Sequence, residues 1–310
     1  MSKRKSGRNI HGIILLDKRL EASSNRALQE VRRLFNANKA GHTGSLDPMA
    51  TGLLPLCFGE ATKVSAMMLD DDKRYQVVAK LGVMTDTGDV EGKVIAEKPV
   101  PKLDSSLIKQ CLQGFMGQIE QVPPMYSALK HNGRKLYELA REGKVIERKA
   151  RKITIFELEL LQFTEATLTL DVMCSKGTYI RSLVEDIGHQ LGCGASVLEL
   201  RRTQAGQFKI EDAFTLEQLQ AMDSKALNSC LLKVDKPLES LPLIALSATQ
   251  AGLIKQGQKI QTEQPSTHQN MVRMYSEHVF LGLGELLLDG KLVPKRIFNL
   301  DADVVSALEL

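Results

Sequence analysis

Hydrophobic and polar positions along this chain alternate between two periods. Ile13 to Leu16 is a short apolar run of the kind that forms a buried strand. Ala27, Leu28, Val31, Leu34 and Phe35 fall on one helical face, with Ser23 and Ser24 standing where a cap is expected. Leu53 to Phe58 predicts another apolar strand, followed by a helix around Ala61 to Leu69. From Lys73 to Leu81 the period is two. Tyr75, Val77, Ala79 and Leu81 share one face, with Arg74, Gln76 and Lys80 on the other, so Tyr75 ends an inward row near a sheet edge or cleft. Phe156, Leu158 and Leu160 repeat this alternation, as do Leu168, Leu170, Val172 and Cys174. Ile180, Leu183, Val184, Ile187 and Leu191 mark an amphipathic helix.

Strands and helices mix irregularly, with hairpin-like strand pairs in place of a steady β-α alternation. That predicts an α+β fold with a largely antiparallel mixed sheet. Two prolines interrupt the pattern between Asp235 and Pro242. Beyond them, Met271 to Tyr275 and Val279 to Leu288, punctuated by Gly282, Gly284 and Gly290, predict a small β-rich C-terminal domain. The 310 residues agree with about two domains.

A hydrophobic content of 43% and a charged content of 25% exclude disorder as the main state. No apolar stretch reaches the roughly 18 residues of a membrane span, and the basic start leads into GIILLD without a signal-peptide core. Five scattered cysteines with no C-x-x-C pair speak against disulfides and zinc, and for a reducing cytoplasm. Net charge is 41 − 37 = +4, but its placement matters more. Lys3, Arg4, Lys5 and Arg8 form a basic tail over residues 1–10, and Ala128 to Lys152 holds nine Lys/Arg against three Glu. Such local excesses fit a polyanion contacted at defined places, or a solvated helix and a loose tail.

The phosphate loop, the G-x-S-x-G elbow and the H-E-x-x-H helix are all absent from the sequence. Asp70, Asp71 and Asp72, like Asp86, Asp89 and Glu91, lack metal-site spacing and read as solvated turns. The densest loop is Gly41-His42-Thr43-Gly44-Ser45-Leu46-Asp47-Pro48-Met49-Ala50-Thr51-Gly52. Asp47 there is either a cap on a short helix with Pro at its first position, or a carboxylate held as nucleophile or base. Arg181 closes the segment CSKGTYIR as either a surface ion pair or the partner of a buried carboxylate.

GHTGSLDPMATG, Lys73-Arg74-Tyr75, CSKGTYIR and Leu200-Arg201-Arg202, in that order, closely resemble the bacterial TruB-type tRNA pseudouridine-55 synthase family. The resemblance runs from about Gly12 to the C-terminus. It implies a pseudouridine synthase catalytic domain over residues 11–240, with a basic insertion near 128–152 that closes over RNA, and a PUA-like RNA-binding domain over 243–310. It implies isomerisation of one uridine in the tRNA T arm, with no cofactor, nucleotide or metal, by a monomer needing no protein partner or membrane. Asp47 matches the catalytic aspartate, Arg181 the arginine paired with it, and Tyr75 the tyrosine that packs on the base and moves a proton late in the reaction. Tyr179 and Leu200 match residues lining the uracil pocket, His42 an RNA-contacting histidine, and Lys18 a lysine beside the site. Outside the family, Leu200 would be plain core, and His42 and Lys18 ordinary surface residues.

One segment departs from the family. Its usual lysine, proline, any residue, glycine is here Lys18-Arg19-Leu20-Glu21, which predicts altered affinity before lost chemistry. Ser45 and Met49 are milder variants. A reading from another class is a T-arm-binding tRNA folding helper that needs no catalysis. A glycoside hydrolase would need two carboxylates across a cleft, and only Asp47 has such a context.

Overall fold

The structure is a computed structural model and describes residues 7–262 and 270–300. Its centre is a nine-stranded mixed sheet. The main path runs Gly12–Lys18, Ala50–Phe58, Ala195–Ala205, Lys73–Leu81, Thr167–Cys174, Arg151–Phe163, Gly117–Gln121. Neighbours are antiparallel except Ala195–Ala205, which runs parallel to Ala50–Phe58. The fold is therefore α+β and largely antiparallel, as the hairpin pattern predicted.

Helices Ser24–Leu34 and Ile180–Gln190 pack on the apolar core, as does Ser105–Gln113, which buries Ile108, Cys111 and Leu112. Ser24–Leu34 is capped by Ser23, whose side chain accepts from the Arg26 amide, and it buries Ala27, Leu28 and Val31. Ile180–Gln190 buries Ile180, Leu183, Val184 and Ile187 against the sheet. Tyr75 is half-buried at the end of the row in which Val77, Ala79 and Leu81 are buried. Among the described residues no helix is long and apolar enough to cross a membrane.

Three local expectations are corrected. The helix around Ala61 to Leu69 is a 3-10 turn at Gly59–Lys63 followed by a short helix at Ser65–Leu69. The Thr62 and Ser65 hydroxyls bond to the carbonyls of Gly59 and Thr62, a local competition with regular helix bonding. Phe156 is exposed, because the register slips between Ile155 and Glu157. The inward row there is Ile153 and Ile155, then Leu158 and Leu160. No helix follows Asp47; the chain makes a turn, with the Ala50 amide donating to the Asp47 carbonyl at 3.0 Å.

A five-stranded sheet follows Pro242, in the order Leu243–Ala245, Asn270–Ser276, Val279–Leu286, Lys291–Ile297, Ile260–Gln261. It joins the main body through one apolar cluster in which Phe280, Leu283 and Phe298 meet Leu15, Leu53 and Phe208. Asp235, in the connection, accepts from Arg273 at 2.9 Å and from the Tyr275 hydroxyl. Lys3, Arg4 and Lys5 of the basic tail and residues 301–310 lie outside the described residues; Arg8 is bonded through its amide to the Asn36 carbonyl.

Candidate active site

The loop between the strands Ala40–His42 and Ala50–Phe58 is held from several sides. Ser24, at the start of its helix, donates to the Leu46 carbonyl at 2.9 Å and accepts from the Leu46 amide at 2.8 Å. The Glu21 amide donates to the Pro48 carbonyl at 2.9 Å. Lys18, only 1% exposed, lies beneath the loop and donates to the carbonyls of Ala22 at 2.7 Å and Pro48 at 3.4 Å. A surface position for Lys18 is thus excluded. Burial is also the main reason its ammonium pKa falls to about 8, against the opposing pull of Asp47. Gly52, in the strand that follows the loop, has φ +100°, and a Cβ there would sit 2.3 Å from the Arg202 carbonyl oxygen, so only glycine fits between the strands.

This frame presents the Asp47 carboxylate with 46% of its side chain exposed, while Arg181 behind it is 7% exposed. Arg181 Nη2 lies 3.0 Å from Asp47 Oδ2 and donates to the Tyr126 carbonyl at 2.6 Å. Its Nη1 donates to the Thr87 carbonyl at 2.8 Å and faces Asp89 Oδ2 at 3.5 Å. Arg181 is therefore a buried guanidinium shared by an open and a buried carboxylate, not a surface pair.

Asp89 corrects the expectation of a solvated turn: it is buried, accepting from Thr87 Oγ1 at 2.7 Å and the Glu91 amide at 3.2 Å. A bridge between Asp89 and Val197 folds the turn onto the sheet, and Gly88 packs beside Arg181 and Glu185. Burial, with Asp186 and Asp89 adding to it, pushes the Glu185 carboxyl up to about 7 against the opposing influence of Arg181.

Beside Asp47 a cavity of about 330 Å³ is lined by Tyr75, Tyr179, Leu200, Arg202, Tyr126 and Cys174 among others. The Tyr75 phenol has a raised pKa, chiefly because it is desolvated, with Arg202 pulling the other way. The Cys174 thiol is pushed up to about 12 by burial and is inert. A second cavity of about 620 Å³ shares Asp47, Tyr126 and Arg181 with the first and extends from His42 to Lys135, Tyr137 and Arg141. The pKa of His42 is lowered by burial first and Arg202 second, and its Nδ1 has no hydrogen-bond partner among the described residues. Two cations approach the Tyr137 ring, Lys135 and Arg141 each lying 5.4 Å from its centre.

Asp47, Arg181, Tyr75, Tyr179 and Leu200 thus line one cavity, His42 lines the next, and Lys18 sits under the loop. Sequence reasoning missed Asp89, Ser24, Tyr126 and Arg202. For Arg202 a signal existed: strand alternation places it on the face of Leu200, while Arg201 turns outward to Asp17 at 2.6 Å.

The Asp47 carboxylate, clamped by the buried Arg181 beside a tyrosine-lined cavity, is the candidate active site of this mixed-sheet fold. The fold is shared with a solved Cbf5-Nop10-Gar1 complex, at TM-score 0.69 and 23% identity over 95% of this chain and 87% of that one. It is shared also with an H/ACA RNP bound to a substrate RNA, at TM-score 0.70 and 22% identity over 99% and 94%.

The chain belongs to the TruB family. The TruB family pseudouridylate synthase N-terminal domain matches residues 32–180, the tRNA pseudouridylate synthase B C-terminal domain residues 181–239, and the pseudouridine synthase II TruB C-terminal segment residues 242–298. The tRNA pseudouridine synthase B of Chromohalobacter salexigens is 50% identical over 96% of this chain and 98% of its own length. That of Pseudomonas fluorescens is 52% identical over 94% and 97%.

Proposed function

We propose that this protein isomerises uridine 55 in the T arm of tRNA to pseudouridine. The C1′–N1 bond breaks and a C1′–C5 bond forms; C5 gives up a proton and N1 gains one. Asp47 acts on the sugar or the base to open the first bond. Arg181 holds its carboxylate in place, and Tyr75 packs on the base and takes the C5 proton. Tyr179 and Leu200 line the uracil pocket, His42 contacts the RNA beside the extruded nucleotide, and Lys18 sets the loop from beneath.

The observation that carries this reading is the Asp47 carboxylate, open to solvent yet clamped at 3.0 Å by a buried guanidinium where two cavities meet. A T-arm uridine must leave its stack to reach it, at a cost of a few kcal/mol. Stacking on an aromatic ring recovers about 1–3 kcal/mol per base, and Lys135 and Arg141 line the second cavity as phosphate partners. The printed names of the relatives support tRNA as the substrate. The catalytic unit spans residues 11–240, and residues 243–310 are a PUA-like RNA-binding domain. The protein works as a cytoplasmic monomer without a protein partner.

The test is incubation of pure protein with an unmodified T-arm hairpin, without metal or nucleotide, followed by mapping of pseudouridine. Conversion at the T-arm uridine is expected for the wild type, with Asp47→Asn inactive at nearly unchanged hairpin affinity. Conversion by Asp47→Asn would remove its assigned role. Tight binding without conversion by the wild type would favour a folding helper instead.

A further inference from the structure

Arg202 is 1% exposed. A guanidinium taken out of water is costly unless paired, and buried charges are therefore usually paired. Arg181 obeys this rule through Asp47 and Asp89. Arg202 does not: among the described residues its bonds run to carbonyls, Nε to Leu53 at 2.7 Å and Nη2 to Gly44 at 3.1 Å, and no carboxylate forms an ion pair with it. Such a cation has charge to offer whatever enters its surroundings.

What it faces is Tyr75. The strand register sets Arg202 directly opposite Tyr75, both line the cavity beside Asp47, and the guanidinium pulls the phenol pKa down against burial. Directly opposed side chains in an antiparallel pair have Cβ atoms roughly 4.5–5.5 Å apart on one face. The other groups acting on that hydroxyl are Cys174 from the adjoining strand and Asp47 from the loop. A thiol and a carboxyl group can supply no positive charge, and both raise the pKa of the phenol. Lys73, on the strand of Tyr75 itself, directs its ammonium to the carbonyls of Met68, Leu69 and Asp71. Arg181, which lines the same cavity, is engaged by Asp47 and Asp89, so among the described residues Arg202 is the cation that acts on the phenol.

We propose that Arg202 is a positioning residue of this site: it fixes the Tyr75 ring across the strand pair and supplies the counter-charge for the Tyr75 oxygen when that oxygen is a phenolate. The proposal rests on the isomerisation above, in which the phenolate accepts the C5 proton of the re-attached base while solvent protonates N1. Burial opposes that phenolate, Asp47 repels it, and Arg202 offsets both.

Arg202→Gln, Arg202→Lys, Tyr75→Phe and the Tyr75→Phe/Arg202→Gln double variant test this in two assays. The first is the pH profile of single-turnover conversion of the hairpin, with its Kd measured in parallel. The second is an ultraviolet titration of the tyrosines, with the Tyr75→Phe trace subtracted to isolate Tyr75. Arg202→Gln is expected to slow conversion at unchanged Kd and to move the Tyr75 titration upward by about 1–3 pH units. Arg202→Lys should keep the wild-type titration, and adding Arg202→Gln to Tyr75→Phe should cost nothing further. A loss equal at every pH with an unmoved titration overturns the proposal and leaves Arg202 as a brace for the loop. If Arg202→Gln is too unstable to assay, Arg202→Lys carries the test, and a shift of a full unit or more there overturns it. A wild type that forms no pseudouridine defeats the proposed function alone, since the Tyr75 titration needs no RNA.

Discussion

The same three residue types meet twice in this molecule, to opposite ends. At the cavity, Asp47 and Arg181 pair beside Tyr75; at the junction with the C-terminal sheet, Asp235 accepts from both Arg273 and Tyr275. Asp47 has 46% of its side chain exposed, whereas Asp235 has 5%. At the junction the phenol bonds straight to the carboxylate, and burial first, then that carboxylate, raise the pKa of Tyr275. Every polar group there is satisfied internally, which suits a fastener. At the cavity the carboxylate keeps an open side and the tyrosine is turned to a different arginine. The two trios differ in what each leaves open to solvent, not in composition.

The largest expected effect breaks the reactive trio. Asp47→Asn should cut single-turnover conversion by on the order of 10⁴-fold or more, and thermal unfolding should show little change because the side chain is half exposed. Asp235→Asn should do the reverse. Removing the charge that Arg273 and Tyr275 share should cost about 3 kcal/mol of stability in denaturant unfolding, while conversion by the folded fraction stays near wild type. Equal losses of activity and stability in both variants would erase the distinction between them.

A smaller effect concerns Glu185, behind Arg181. Its carboxyl is raised to about 7 in the folded protein from an ordinary 4.5. Between those values the folded state binds more protons than the unfolded one, so this group lowers stability as pH rises through that window and leaves it lowest above about 7. Glu185→Gln should therefore reduce the fall in Tm between pH 5 and pH 8, and an unchanged fall would place Glu185 in a solvated setting.

The smallest effect lies at Glu21, where the resemblance leads one to expect glycine. Glu21 sits at φ +62°, a left-handed conformation that costs a non-glycine residue roughly 1 kcal/mol. Its neighbour Arg19 is held by Glu30 at 2.8 and 3.0 Å. Glu21→Gly should raise stability by up to about 1 kcal/mol, read from the denaturation midpoint at unchanged slope.

Much of this could be read along the chain. The row ending at Tyr75, the helix opening at Ile180 and the loop around Asp47 follow from periodicity and from glycine and proline placement. Asp89 could not be read: a turn of acidic residues looks solvated until a distant helix brings Arg181 against it. Phe156 was misplaced because a bulge leaves no mark in an alternating pattern. Lys18 looked like a surface lysine because nothing local announces that backbone carbonyls will surround its ammonium.

By itself the sequence determined which face of most strands and helices is apolar, where the chain must turn, and that Asp47 stands in a segment rich in glycine, threonine and proline. These are properties of neighbours within a few residues, governed by side-chain period and backbone sterics. Only the tertiary structure decided that Arg202 stands opposite Tyr75 and that Arg181 serves two carboxylates at once. Register across a sheet joins segments more than a hundred residues apart, and a charge acquires its strength from the water that folding removes around it.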